Sequence, residues 1–281
     1  MSGDRPLRQW CTVNGAPIAF TDSGSGKPVV FVHGVYVTGA LWDDVVNALG
    51  GRVRSIVPTW PLGAHEPVDA QADLSAPAAV GRIVGLLEEL DLRDVTLVAN
   101  DTGGGLVLAT LGDSALDVSR ISRLVLTNCD SYEHFPPRSF VPLFRLCRVF
   151  PWAGRGALRS LASRYGQRYF LSQVANRPVG ADRQQTIFGA FVTNSDTRRQ
   201  AADLTATLDP PLTLRSTEAI RRFTRPVTLV WGNRDALFPI DHAQRLADEF
   251  PNARLIEVDG SSTYVMLDAP DQLAAAILAE A

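Results

Sequence analysis

The feature that most constrains this chain is an alternation of short apolar runs with amphipathic helical patterns. Pro28–Val32 is a continuous apolar run, and a helical spacing of Leu41, Val45, Val46 and Leu49 follows it. The pattern repeats with Val53–Val57 as strand, Pro77–Leu90 as helix, Val95–Val98 as strand, Leu106–Leu111 as helix and Leu124–Leu126 as strand. It resumes later with Pro226–Trp231, Asp241–Phe250, Ala253–Val258 and Gln272–Ala281, strand and helix in turn. Apolar runs of this length belong to strands covered on both faces, and the intervening helices make the crossovers that parallel neighbours require. The expected fold class is therefore α/β, a mostly parallel, doubly wound sheet whose strand carboxyl ends form the site edge. A hairpin opens the chain, because Asn14-Gly15, between Gln9–Val13 and Ala16–Asp22, tolerates the positive φ of a two-residue turn.

From Ser131 to Arg215 the alternation fails. Pro136-Pro137, Pro151-Trp152 and Pro210-Pro211 punctuate short helical segments with no strand pattern between them. The expected organisation is a core of residues 1–130 and 216–281 with a helical lid, residues 131–215, inserted in it. The lid holds 12 Arg against 5 acidic residues, whereas the whole chain carries a net charge of −3. Such a face is read either as a solvated helix surface or as an attractor of an acidic substrate.

At 281 residues with 46% apolar side chains, the chain can bury one full core. The small net charge offers nothing to nucleic acid or to an anionic membrane surface. Cys11, Cys129 and Cys147 are odd in number and scattered, which argues against a disulfide framework or a metal site. The stretch from Met1 to Trp10 has no signal-like apolar run, and no segment reaches the ~18 residues of a membrane span. These features lead us to expect a cytoplasmic protein that needs no cofactor, acts on a small molecule and is compatible with a homodimer.

The chemistry concentrates at Asn100-Asp101-Thr102-Gly103-Gly104-Gly105, which follows the run Val95–Val98. Small residues two before and two after Asp101 suit a turn too tight for bulky neighbours, one that holds its central residue in a strained conformation and exposes it. The Thr102 amide then opens a helix and can donate to a developing oxyanion. This segment, His33-Gly34 and Gly232-Asn233-Arg234-Asp235, in that order after their strands, resemble the α/β-hydrolase superfamily in the branch of haloalkane dehalogenases and epoxide hydrolases. The resemblance covers nearly the whole chain. It implies an α/β-hydrolase fold, Asp101 as nucleophile, the amides of Val35 and Thr102 as oxyanion hole, and Asp235 or Asp130 as the acid that orients a histidine base. A carboxylate nucleophile forms an alkyl ester that water must then hydrolyse, and the histidine activates that water.

The resemblance breaks at that base. Counting back from Pro270, Thr263 stands where the histidine belongs, and threonine has no group that titrates near neutrality. Thr263 and Tyr264 are expected to line the wall in its place. His134, just beyond Asp130, is the best replacement base; His33, Asn100 and Trp42 are candidate substrate contacts. His65 follows a loop that approaches the site from the side, and His242 opens a helix near Asp235. Two dehalogenase halide contacts, a Trp and an Asn, are replaced by Thr102 and Val35. Tyr165 and Tyr169, one turn apart in the lid, could stand in for the proton-donating tyrosines of epoxide hydrolases. Three functions stay open: a dehalogenase- or epoxide-hydrolase-like hydrolase with a non-standard base, a non-hydrolytic cyclase, isomerase or lyase of secondary metabolism using Asp101 as acid or base, and an inactive ligand-binding module.

Overall fold

Eight strands form one sheet in the computed structural model, which describes residues 7–69 and 71–279. They are β1 (Arg8–Val13), β2 (Ala16–Ser23), β3 (Pro28–Val32), β4 (Arg54–Thr59), β5 (Val95–Asp101), β6 (Ile121–Cys129), β7 (Val227–Gly232) and β8 (Ala253–Val258). The order across the sheet is β1-β2-β4-β3-β5-β6-β7-β8. The β1–β2 and β2–β4 pairs are antiparallel and all others parallel. Asn14 and Gly15 take φ of 47° and 75°, the conformation the opening hairpin demands.

The winding reverses at β3, which has β4 on one side and β5 on the other. The crevice beyond the ends of β3 and β5 is thus the topological switch point, the place where an α/β sheet opens to a ligand. Helices α1 (Asp43–Leu49), α2 (Ala76–Glu89) and α3 (Thr102–Gly112) precede residues 131–215. After them come α11 (Thr217–Arg222), α12 (Ile240–Glu249), α13 (Val265–Asp268) and α14 (Pro270–Leu278). Helices α1 and α14 pack together, and α2 and α11 pack against α3, so both sheet faces are covered. The end expected for the last helix, Ala281, lies outside the described residues.

Two elements are longer than apolar patterning suggests. β6 extends from Ile121 to Cys129 because its polar members are satisfied inside: buried Arg123 donates to the carbonyls of Ile277 and Ala276, each at 2.7 Å. α3 starts at Thr102 rather than near Leu106, because Gly103–Gly105 form its first turn.

Between β6 and α11 lie seven helices: α4 (Val141–Val149), α5 (Pro151–Leu161), α6 (Arg164–Val174), α7 (Ala181–Phe188), α8 (Ala190–Thr193), α9 (Ser195–Thr205) and α10 (Pro211–Leu214). Two start where a side chain caps free amides: Ser163 accepts from Gly166, and Asn194 from Asp196 and Thr197. Their apolar faces bury Phe144, Phe170, Phe188 and Phe191. Phe170 meets Phe188 (5.8 Å between ring centres) and Tyr264 of the core (6.3 Å), and Phe191 stacks on Tyr36 (5.2 Å). Such pairs contribute ~1 kcal/mol each beyond burial and tie this segment over the carboxyl ends of the strands. Among the described residues, no helix is long and apolar enough to cross a membrane.

Candidate active site

Asp101 ends β5 with φ 54° and ψ −136°, a conformation that costs an L-residue about 1–3 kcal/mol and turns its side chain out of the strand. The surrounding glycines make the turn possible. A β-carbon on Gly34 would stand 2.0 Å from Asp101 Oδ2; on Gly103, 2.5 Å from the His33 carbonyl oxygen; on Gly104, 2.3 Å from Cys129 Cβ. A glycine inside a helix costs ~1 kcal/mol, which α3 tolerates because only glycine lets its first turn pack on β3 and β6. The Val35 amide, directly after Gly34, has no hydrogen-bond partner among the described residues. The Thr102 amide, at the start of α3, donates toward the Asp101 carboxylate.

Three carboxyl groups converge here. Burial pushes Asp101 up to about 7, and the charge of Asp235 adds to the rise against the stabilising Thr102 amide. Burial also raises Asp235, to about 6, although it accepts from the Leu237 amide at 2.7 Å, the Thr263 hydroxyl at 2.8 Å and Asn128 Nδ2 at 2.8 Å. Asp130 is fully buried and neither of its oxygens has a hydrogen-bond partner in good geometry. Burial, then the charge of Asp101, holds Asp130 well above the usual carboxylate range, and the nearby Thr102 hydroxyl offsets this only in part.

Thr263 is fully buried against Asp235, with its hydroxyl donating to the carboxylate. Behind it, Asn100 Nδ2 donates to the Thr263 carbonyl (2.8 Å), Thr127 Oγ1 (2.8 Å) and the Asn128 carbonyl (3.0 Å). Sequence reasoning missed Asn128, which ties the end of β6 to β7: its oxygen accepts from the Gly232 amide at 2.7 Å while its Nδ2 serves both the Gly232 carbonyl and Asp235. A polar residue at the end of a buried strand was the only available signal.

The sequence model of the Alpha/beta hydrolase family matches residues 29–276. The chain belongs to the α/β-hydrolase family. Haloalkane dehalogenase 2 of Mycobacterium bovis is 26% identical to it, over 96% of this chain and 93% of its own length. The cis-3-alkyl-4-alkyloxetan-2-one decarboxylase of Shewanella oneidensis is also 26% identical, over 95% and 85%. The crystal structure of haloalkane dehalogenase DbeA from Bradyrhizobium elkani superimposes with a TM-score of 0.82 at 16% identity, covering 98% of this chain and 97% of that one. The expected fold is thus the fold observed.

Within this α/β-hydrolase frame several expected site residues have other duties. His33 is fully buried; its Nδ1 bonds the Gly34 carbonyl at 2.8 Å and its Nε2 accepts from the Trp60 amide at 2.9 Å. Burial lowers it to about 4, so it is a neutral scaffold residue rather than a substrate contact. Asn100 likewise braces Thr263 from behind, and Trp42 is fully buried with its ring 5.2 Å from Phe31 in the core. His65, lowered by burial to about 4, is held between the Gly63 amide and Gln200. His134, the expected replacement base, stacks on His242 at 4.0 Å between ring centres, beside Glu133, and contacts none of the three carboxyl groups. Tyr165 and Tyr169 are 65% and 67% exposed and point to solvent, not to Asp101. Tyr264 does lie at the site: it is fully buried, its hydroxyl is unpartnered, and the charge of Asp101 adds to the effect of burial on its phenol.

Proposed function

We propose that this α/β-hydrolase-family protein is an enzyme acting on a small, mostly apolar organic substrate through Asp101, and that its reaction is non-hydrolytic, of the isomerase or lyase kind. The observation that carries this reading is the Thr263–Asp235 hydrogen bond: the acid that would orient a histidine base holds a hydroxyl instead, and all four histidines are engaged elsewhere. An alkyl ester formed on Asp101 would have no general base to activate water. A carboxylate held near neutrality suits proton transfer instead. Asp101 takes a proton from a substrate carbon, the amides of Val35 and Thr102 support charge on the adjacent oxygen, and the proton returns to another substrate atom or leaves with the departing group. A relative named as an oxetanone decarboxylase is in keeping with carbon–carbon bond chemistry at such a site.

The second reading, a hydrolase with a non-standard base, is favoured by the relatives named as haloalkane dehalogenases and by the free amide beside Asp101. One experiment separates the two. Wild type and Asp101→Asn are incubated in H₂¹⁸O with enolisable ketones, 2-oxetanones, epoxides, haloalkanes and activated esters, followed by intact-protein and product mass spectrometry. The proposal expects Asp101-dependent product without ¹⁸O and no lasting adduct; product carrying ¹⁸O, or an alkyl ester on Asp101, overturns it for the hydrolase.

A further inference from the structure

The Arg-rich character of residues 131–215 plays no part in the chemistry at Asp101, yet several of these arginines gather at one place. A groove of about 940 Å³ runs between the start of α12, the segment after β6, and the outer side of α4. That volume is in the range that encloses organic ligands, roughly 300–1,000 Å³.

From this we infer that the groove binds the carboxylate end of an amphipathic organic acid, with Arg138 and Arg145 as the anion contacts. Both line the groove, and neither makes an ion pair or hydrogen bond among the described residues. Arg148 beside them pairs with Asp209 at 3.2 Å. The groove's acidic side chains are largely committed: Glu133 accepts from Arg245 at 3.0 Å through both oxygens, and Asp241 accepts from the His242 amide at its own helix start. Those acids limit the positive excess, which favours a monoanion such as a carboxylate over a dianionic phosphate. The stacked His134 and His242 add ring N–H groups to the same rim.

The rest of the lining is apolar. Val141 and Val149, both substantially exposed, and buried Phe144 give an alkyl body a surface on α4. Leu237 faces them from the loop that carries Asp235, whose carboxylate accepts from the Leu237 amide at 2.7 Å. The groove thus borders, through Ala236 and Leu237, the loop that carries Asp235, while none of the three clustered carboxyl groups lines it. In naming this acid as substrate the inference rests on the reading of Asp101 above; the binding itself does not.

The test is direct titration by calorimetry, with decanoate as probe and decanol as its neutral counterpart, on wild type, Arg138→Gln/Arg145→Gln and Asp101→Asn. We expect decanoate to bind wild type roughly tenfold tighter than decanol, with an advantage that shrinks in high salt. The double arginine variant loses that advantage and keeps its affinity for decanol, and Asp101→Asn retains it, whatever reaction Asp101 catalyses. Equal binding of the two probes by wild type, or an unchanged preference in the double variant, overturns the inference. A stronger preference for decanoate in Asp101→Asn, the mark of relieved repulsion, would place the anion beside the carboxyl groups and overturn it as well.

Discussion

Thr263 donates a hydrogen bond from its hydroxyl to the Asp235 carboxylate across 2.8 Å, in a fully buried position. The reading proposed for Asp101 rests on this contact, in which Asp235 holds a hydroxyl rather than an imidazole.

Replacing Thr263 with His should supply that base. We expect Thr263→His to hydrolyse an activated ester or haloalkane about 10²–10⁴-fold faster than wild type, the usual worth of a positioned general base, read as acid release in a pH-stat. Rates equal to wild type in a folded variant would show that an imidazole set against Asp235 activates no water at this site.

Asp101→Asn should alter the pH dependence of stability. The carboxyl is raised from ~3.9 unfolded to about 7 folded, so the native state holds the extra proton and wild-type stability falls as pH climbs from about 4 through 7. Asparagine removes this penalty. Urea unfolding at pH 8 relative to pH 5 should favour the variant by about 2–4 kcal/mol, at roughly 1.4 kcal/mol per pKa unit.

Asp235→Asn tests the coupling between carboxyl groups. The charge of Asp235 helps to raise Asp101, so its removal should move the limb in kcat/KM that rises near pH 7 toward acid. A limb that stays in place, or moves toward base, would assign it to another group.

Gly34→Ala probes the close approach of the His33-Gly34 loop to the elbow. Its β-carbon would stand 2.0 Å from Asp101 Oδ2, so loop or carboxylate must shift. We expect a loss of about 3 kcal/mol in chemical denaturation together with loss of activity. Ala at Gly156, where nothing lies within 4 Å, should be tolerated.

The chain's own pattern determined a good deal. Apolar periodicity marked the strands and most helices because burial leaves a local signature, and Asn14-Gly15 marked its hairpin because few residues accept positive φ. The elbow was legible because Gly103, Gly104 and Gly105 are the residues a tight strand-to-helix turn admits. Partnership across the chain left no such signature. Whether a histidine is a base depends on what its nitrogens meet. Trp60 and Gly34 occupy both nitrogens of His33, which burial keeps neutral, and His242, more than a hundred residues away, stacks on His134. The same holds for Asn128, which joins β6 to Asp235, and for the three carboxyl groups whose mutual burial raises them all. Local sequence records which face of an element is covered; only the assembled sheet, by bringing residues from different strand ends within a few ångströms, decides what covers it.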